Sequence, residues 1–169
     1  MLPIVLGPKA CRAALAGAGE GFARREAVLA EAGVAATLYR DRLPSADEIA
    51  SFRILFVAGL DESQSRELAR LARAAGVLVN VEDQPALCDF HVPARIRHGD
   101  LLVTVSTAGR APGLARILRQ DLEVHLNGAW GDRLEEIAKL RARWRAQGAS
   151  QQEVAARTRA HAEKHGWRP

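Results

Sequence analysis

Between Cys11 and Val81 short apolar runs alternate with longer helical runs, and glycines punctuate the joints. That alternation constrains the fold more than any other feature, because strands separated by helix-length connections build βαβ units and a mainly parallel sheet. Cys11 to Ala16 reads as a first strand, Ala36 to Tyr39 as a second, Ile54 to Ala58 as the most clearly buried one, and Val77 to Val81 as the next. Phe22 to Ala32, closed by Gly33, reads as the first helix. Ser45 to Ser51 reads as a short helix with a serine N-cap. Ser63 to Ala75 places Leu68, Ala69, Leu71 and Ala72 on one side before Gly76 ends it. Phe90 to Ile96 and Leu101 to Ser106 form two extended runs joined by a turn around His98, Gly99 and Asp100. The expected class is α/β: a Rossmann-like, mostly parallel sheet with helices on both faces.

The character changes near Pro112. Residues 1–112 balance 13 basic against 13 acidic side chains, whereas 113–169 carry 11 against 7, so the net charge of +4 comes from the second part. Trp130, Trp144 and Trp167 all lie there. Leu114, Ile117, Leu118 and Leu122 follow helical spacing. Asn127–Gly128 breaks the chain before a helix from Arg133 to Ala146, and Ser150 with Glu153 forms an S-x-x-E capping box for a last helix. This tail is too small to hold a core alone. The expected organisation is therefore a parallel-sheet domain over 1–112 and a short helical region over 113–169.

Composition excludes several classes. No stretch of eighteen apolar residues exists to span a membrane. Lys9 and Arg12 interrupt the apolar start, which argues against a secretory leader. Two cysteines, Cys11 and Cys88, make no disulfide framework, and a reducing, cytoplasmic setting is expected. The basic tail is interleaved with Glu135, Glu136 and Glu153, so it reads as a solvated helical face rather than a nucleic-acid track.

The glycine cluster Gly17-Ala18-Gly19-Glu20-Gly21 carries the chemistry. In G-x-G-x-x-G the first glycine permits a tight turn and the second lets the backbone approach a pyrophosphate resting on the helix N-terminus. The third allows close helix–strand packing. Gly17 and Gly19 fill the first two places. Phe22 stands in the third, where a ring should push the helix off the strand unless Gly21 shifts the turn by one residue. At the end of the second strand Asp41 suits a ribose hydroxyl, as in NAD, while Arg40 suits a 2′-phosphate.

Ordered blocks then resemble a known family. Leu2-Pro3-Ile4, the glycine loop, Arg24-Arg25 and Glu31-Ala32-Gly33 open it. Ala58-Gly59-Leu60-Asp61 stands where the family has Ala-Ala-Thr-Asp, without the threonine. Asn80-Val81-Glu82-Asp83-Gln84-Pro85 matches N-V-x-D-x-P, with Phe90 and Pro93 at the F-x-x-P that follows. Val105-Ser106-Thr107-Ala108-Gly109-Arg110-Ala111-Pro112 resembles V-S-S-G-G-x-S-P, and Leu114-Ala115-Arg116 repeats L-A-R. The blocks span residues 2 to about 126 and resemble the N-terminal half of siroheme synthase, the precorrin-2 dehydrogenase/sirohydrochlorin ferrochelatase family.

The resemblance implies an NAD-dependent oxidoreductase of siroheme biosynthesis that converts precorrin-2 to sirohydrochlorin. In some members Fe²⁺ insertion, a lyase reaction, follows. It implies Asp83 as the catalytic base, although an aspartate before Pro85 also serves as a turn residue. It implies Gly17, Gly19, Glu20, Gly21, Asp41, Gly59 and Asp61 around the cofactor. It also implies a Rossmann-like dinucleotide-binding domain over 1–112, a short helical dimerisation and substrate-cleft region over 113–169, and a homodimer. Ser106, Thr107, Arg110 and Arg116 face the substrate carboxylates on this reading, with Arg95, Arg97 and His98 as further candidates. The hydroxyls also suit a strand end, and the arginines a solvated surface. A relative that binds tetrapyrrole or dinucleotide without oxidising it is the alternative. Cys88-x-x-His91 offers two metal ligands with no second pair, and His98, His125, His161 and His165 are scattered in sequence, so no metal site is expected.

Overall fold

A computed structural model describes residues 2–167. Four parallel strands form one sheet in the order β2-β1-β3-β4, with β1 at Ala13–Gly17, β2 at Thr37–Tyr39, β3 at Ile54–Ala58 and β4 at Leu78–Val81. The connecting helices are α1 (Gly19–Glu31), α2 (Ala46–Ala50) and α3 (Glu62–Ala74). β1 pairs with β2 from Ala14↔Thr37 to Ala16↔Tyr39, and with β3 from Ala13↔Ile54 to Gly17↔Ala58. The chain thus winds outward from β1 to β2, then crosses back past β1 to β3. The strand order reverses between β1 and β3, and this topological switch point is where open α/β sheets bind ligands, at the carboxyl ends of the strands.

Two apolar layers sandwich the sheet, because successive side chains of a strand point to opposite faces. Ala14, Ala16, Leu55, Val57, Val79 and Val81 face α2 and α3 through Ile49, Leu68, Ala69 and Ala72. Ala13, Leu15, Ile54, Phe56 and Ala58 face α1 through Phe22 and Leu29, with Phe90 and Val92 packed against them. Every residue of β1 and β3 is buried, which explains why their sequences read as unbroken apolar runs.

Local signals set the helix ends. Ser45 caps α2 in a full capping box with Glu48, and Asp61 caps α3 by accepting from the Gln64 N–H at 2.8 Å. The first helix begins at Gly19, three residues ahead of the expected Phe22. The first strand starts at Ala13 rather than Cys11, after a 3-10 turn over Pro8–Ala10.

The chain divides into two compact units, up to Val92 and from Pro93. In the second, β5 (Ala94–His98) and β6 (Leu101–Val105) form an antiparallel hairpin about Gly99–Asp100. The hairpin is followed by α4 (Pro112–His125), α5 (Ala129–Ala146) and α6 (Gln151–Lys164). The compositional change near Pro112 coincides with the start of α4. The capping box at Ser150 and Glu153 is formed. Among the described residues no helix is long and apolar enough to cross a membrane.

Phe22 does not push α1 away. Its ring is 1% exposed and fills the layer between α1 and the sheet, while Gly21, one place earlier, is the residue that α1 buries without a side chain. Phe22→Ala is expected to destabilise the fold by about 3–5 kcal/mol through the cavity left behind. Chemical denaturation checks this, and nucleotide affinity per folded molecule should not improve.

Candidate dinucleotide site at the switch point

The carboxyl ends of β1 and β3 meet through backbone alone. Gly17 has φ +148°, and a Cβ there would stand 1.7 Å from the Ala58 carbonyl oxygen. Gly59 has φ +68°, and a Cβ there would stand 2.0 Å from the Ala18 carbonyl oxygen. The Ala18 N–H donates to Ala58 O at 3.1 Å. Both glycines are therefore required sterically, since each side-chain position is already filled by main chain.

Beyond that crossing the loop opens. Gly19 starts α1 at φ +67°, with nothing within 4 Å of where a Cβ would point. Ala18, the N-cap, offers no side-chain hydrogen bond, whereas α2, α3 and α6 are each capped by a side-chain oxygen. The first N–H groups of α1 are thus left for an anion, the arrangement that helix N-termini use to hold phosphate. A dinucleotide pyrophosphate fits this turn.

The neighbouring charges modify the turn. Glu20 is exposed and pairs with Arg24 at 3.5 Å. Glu82, just past β4, also pairs with Arg24, at 3.3 Å, and packs over Gly21 so closely that a Cβ there would come within 1.9 Å of Oε2. Two carboxylates thus share one arginine at the positive end of α1. Glu82 is the residue that sequence reasoning missed; it occupies the variable place of N-V-x-D-x-P.

At the outer strand, Arg40 is half-exposed but engaged by its neighbours. Its guanidinium lies 4.5 Å over the Phe22 ring and bonds Glu26 at 2.5 Å. Arg42 lies over Tyr39 and grips Glu48 with two bonds, at 2.7 and 2.5 Å. Those bonds, with the Ser45 N–H, hold the Glu48 carboxyl down at about 2. The turn between β2 and α2 is therefore clamped on both sides of Asp41, which remains exposed. Asp61, expected beside the cofactor, spends one carboxylate oxygen capping α3. Leu60, in place of the family's threonine, packs against the α2–α3 layer.

Asp83 follows β4 in left-handed backbone, φ +56°. The Glu82 N–H donates to Val57 O at 2.9 Å, so this loop starts level with the end of β3. An aspartate turn would bond the N–H two residues on, but that residue is Pro85, which has none. Among the described residues the Asp83 carboxylate has no hydrogen-bond or ion-pair partner. The loop is held instead by Cys88, whose thiol accepts from Val81 N at 3.2 Å and donates to Val81 O at 3.1 Å. Asn80 supports it, donating from Nδ2 to Phe90 O at 2.9 Å. Cys88 is thus a clasp within the loop, and His91 is exposed beside it.

The four expected substrate residues lie in the second unit. Ser106 Oγ accepts from Ala108 N and Thr107 Oγ1 from Ala111 N, each at 3.3 Å. Ala108 keeps φ +58° where the family pattern has glycine. Arg110 and Arg116 are exposed. His98 Nε2–H donates to Leu126 O at 2.6 Å, which commits it to packing.

Comparison with known proteins agrees with this geometry. A family model described as "Putative NAD(P)-binding" matches residues 4–94. Siroheme synthase of Nitrosococcus oceani is 33% identical over 161 residues, covering 84% of this chain and 34% of its own length. That of Methylococcus capsulatus is 33% identical over 163 residues, covering 85% and 34%. The chain belongs to the siroheme synthase N-terminal family. It spans about a third of the length of these curated relatives. Within the family, the siroheme biosynthesis protein met8 of Schizosaccharomyces pombe is 39% identical over 85 residues, half of this chain and 32% of its own. The fold is shared with SirC, a precorrin-2 dehydrogenase, at a TM-score of 0.74 and 17% identity, over 95% of this chain and 88% of that one.

Because Glu82 places negative charge beside the uncapped turn of α1, Glu82→Gln should tighten NAD⁺ binding by roughly threefold. Titration calorimetry at low salt reads this directly. Weaker binding in that variant would mean that Glu82 holds the loop rather than repelling the anion.

Proposed function

We propose that the chain oxidises precorrin-2 to sirohydrochlorin with NAD as hydride acceptor. The observation that carries the reading is the pairing, at the carboxyl end of one sheet, of an uncapped glycine turn with an unpartnered carboxylate, Asp83, on a clasped loop. When bound there, nicotinamide supplies the hydride acceptor. The chain's own residues do the rest. Gly17 and Gly59 let β1 and β3 close up, Gly19 leaves the α1 turn open to the pyrophosphate, Gly21 makes room for the Glu82 side chain, and Glu20 with Glu82 tunes the charge there. Asp83 accepts the proton that leaves with each hydride, as a base at the strand end of the crevice.

NAD is favoured over NADP by the commitments at β2. Arg40 is held by Glu26 and Phe22 and Arg42 by Glu48, so the side chain at that edge available to a ribose is Asp41, which suits two hydroxyls and repels a 2′-phosphate. Asp61 contributes by fixing the start of α3 behind Gly59. Ser106, Thr107, Arg110 and Arg116 are assigned to the eight carboxylates of the substrate, the hydroxyls through their donor hydrogens and the arginines through charge. A homodimer is supported by α4, which leaves Leu114, Ile117, Leu118 and Leu122 between 38% and 62% exposed along one helical stripe. A cytoplasmic setting accords with two free cysteines.

A member that binds without oxidising is the second reading, favoured by Leu60 where the family's hydroxyl would be and by the acidic pair at the turn. An anaerobic precorrin-2 assay followed at the NADH absorbance band separates the two. Parallel runs with and without Fe²⁺ read metal insertion on its own. Asp83→Asn is the sharper variant, because asparagine also tolerates left-handed backbone. It should keep NAD⁺ affinity within about twofold while NADH production falls by about 10²–10⁴-fold. Normal turnover in that variant would remove Asp83 from the reaction, and no calorimetric signal at millimolar NAD⁺ would leave the binding reading without its dinucleotide as well.

A further inference from the structure

Two of the histidines come together in space with a carboxylate from another helix. His161 and His165 stand four residues apart on α6, one helical turn, and so share a face. Their rings lie 4.4 Å apart between centroids. Glu136, on α5, reaches the same point, with His161 Nε2 at 2.8 Å from its carboxylate. One ligand atom from each of Glu136, His161 and His165 lies within 4.8 Å of the other two. Trp167 closes the group from the far side, its ring 5.0 Å from that of His161 and 5.8 Å from that of His165.

We infer that Glu136, His161 and His165 form a binding site for a divalent transition-metal ion, independent of the dinucleotide site. Two imidazoles and one carboxylate suit Zn²⁺, Ni²⁺, Co²⁺ or Fe²⁺ and disfavour the all-oxygen preference of Ca²⁺ and Mg²⁺. Metal–ligand bonds of about 2.0–2.2 Å require ligand atoms roughly 3–3.5 Å apart. Side-chain adjustments of about an ångström bring the three to that spacing, and the half-exposed Glu136 has the freedom to make one. Solvent completes the coordination sphere. Among the described residues, the Arg133 guanidinium is held over the faces of Trp130 and Trp167, at 4.6 and 5.5 Å. A structural clasp between α5 and α6 needs only the His161–Glu136 hydrogen bond. His165 adds a second imidazole at the same point, against the rings of His161 and Trp167.

The test uses the full chain stripped with chelator and titrated with ZnCl₂ in calorimetry, and with NiCl₂ while tryptophan fluorescence is followed. One ion per chain should bind, and Ni²⁺ should quench emission because Trp167 lies against the ligands. Affinity should fall by tenfold or more between pH 7.5 and pH 5.5, because protons compete with a metal ion for nitrogen ligands. His165→Ala is exposed and should leave helicity intact while weakening Zn²⁺ by at least about tenfold. Glu136→Gln should weaken it similarly, and His125→Ala on α4 should not change it. Trp167→Phe should remove most of the quenching and leave the stoichiometry. Wild-type affinity in both His165→Ala and Glu136→Gln, or no heat with the wild-type chain, would overturn the site.

Discussion

Two main chains cross where β1 and β3 end, and neither leaves room for a side chain. At Gly17 a Cβ would fall 1.7 Å from the Ala58 carbonyl oxygen, and at Gly59 one would fall 2.0 Å from that of Ala18. Everything around the candidate site is registered on this contact. It lets the two strands run side by side to their carboxyl ends, sets where α1 starts, and places the uncapped turn at Ala18–Gly21 directly over the reversal of strand order. Any residue with a Cβ at either position would have to separate the strand ends and open the sheet where the ligand crevice begins.

The third side of the crevice depends on a different kind of interaction. The loop after β4 is stabilised by the Cys88 thiol, which bonds both the N–H and the carbonyl of Val81, and by Asn80 reaching Phe90 O. These short polar contacts hold Asp83 in left-handed backbone, a conformation with a modest cost that aspartate bears better than most residues. The carboxylate is left without an internal partner. Structural commitment of Cys88 and chemical availability of Asp83 are therefore two consequences of one loop.

Much of this was legible in sequence. The alternation of runs gave the parallel sheet, and the glycine cluster between the first strand and helix gave the position of the turn. Serine and glutamate three apart gave the caps of α2 and α6. One place in a motif is not decisive by itself. A ring at Phe22 holds α1 off the sheet only if the turn keeps its register, and here the ring is core between α1 and the sheet while Gly21 lies under the Glu82 carboxylate. Asp61 has a local task that the motif does not carry, since an aspartate directly before a helix bonds the N–H of its first turn. Glu82 was invisible because its influence on Gly21 comes from a strand two places across the sheet. His161 and His165 did carry a signal, a spacing of four in a helical stretch, but Glu136 lies 25 residues from His161, and only the packing of α5 on α6 joins them.

Dinucleotide binding where β1 and β3 end is tested most directly by amide chemical shifts. In ¹⁵N-labelled protein titrated with NAD⁺, the amides of Ala18, Gly19, Gly21 and Gly59 should shift together along one saturating curve, with Asp41 and Asp83 following. Saturating shifts confined to the second unit, or none at the glycines at millimolar NAD⁺, would contradict it.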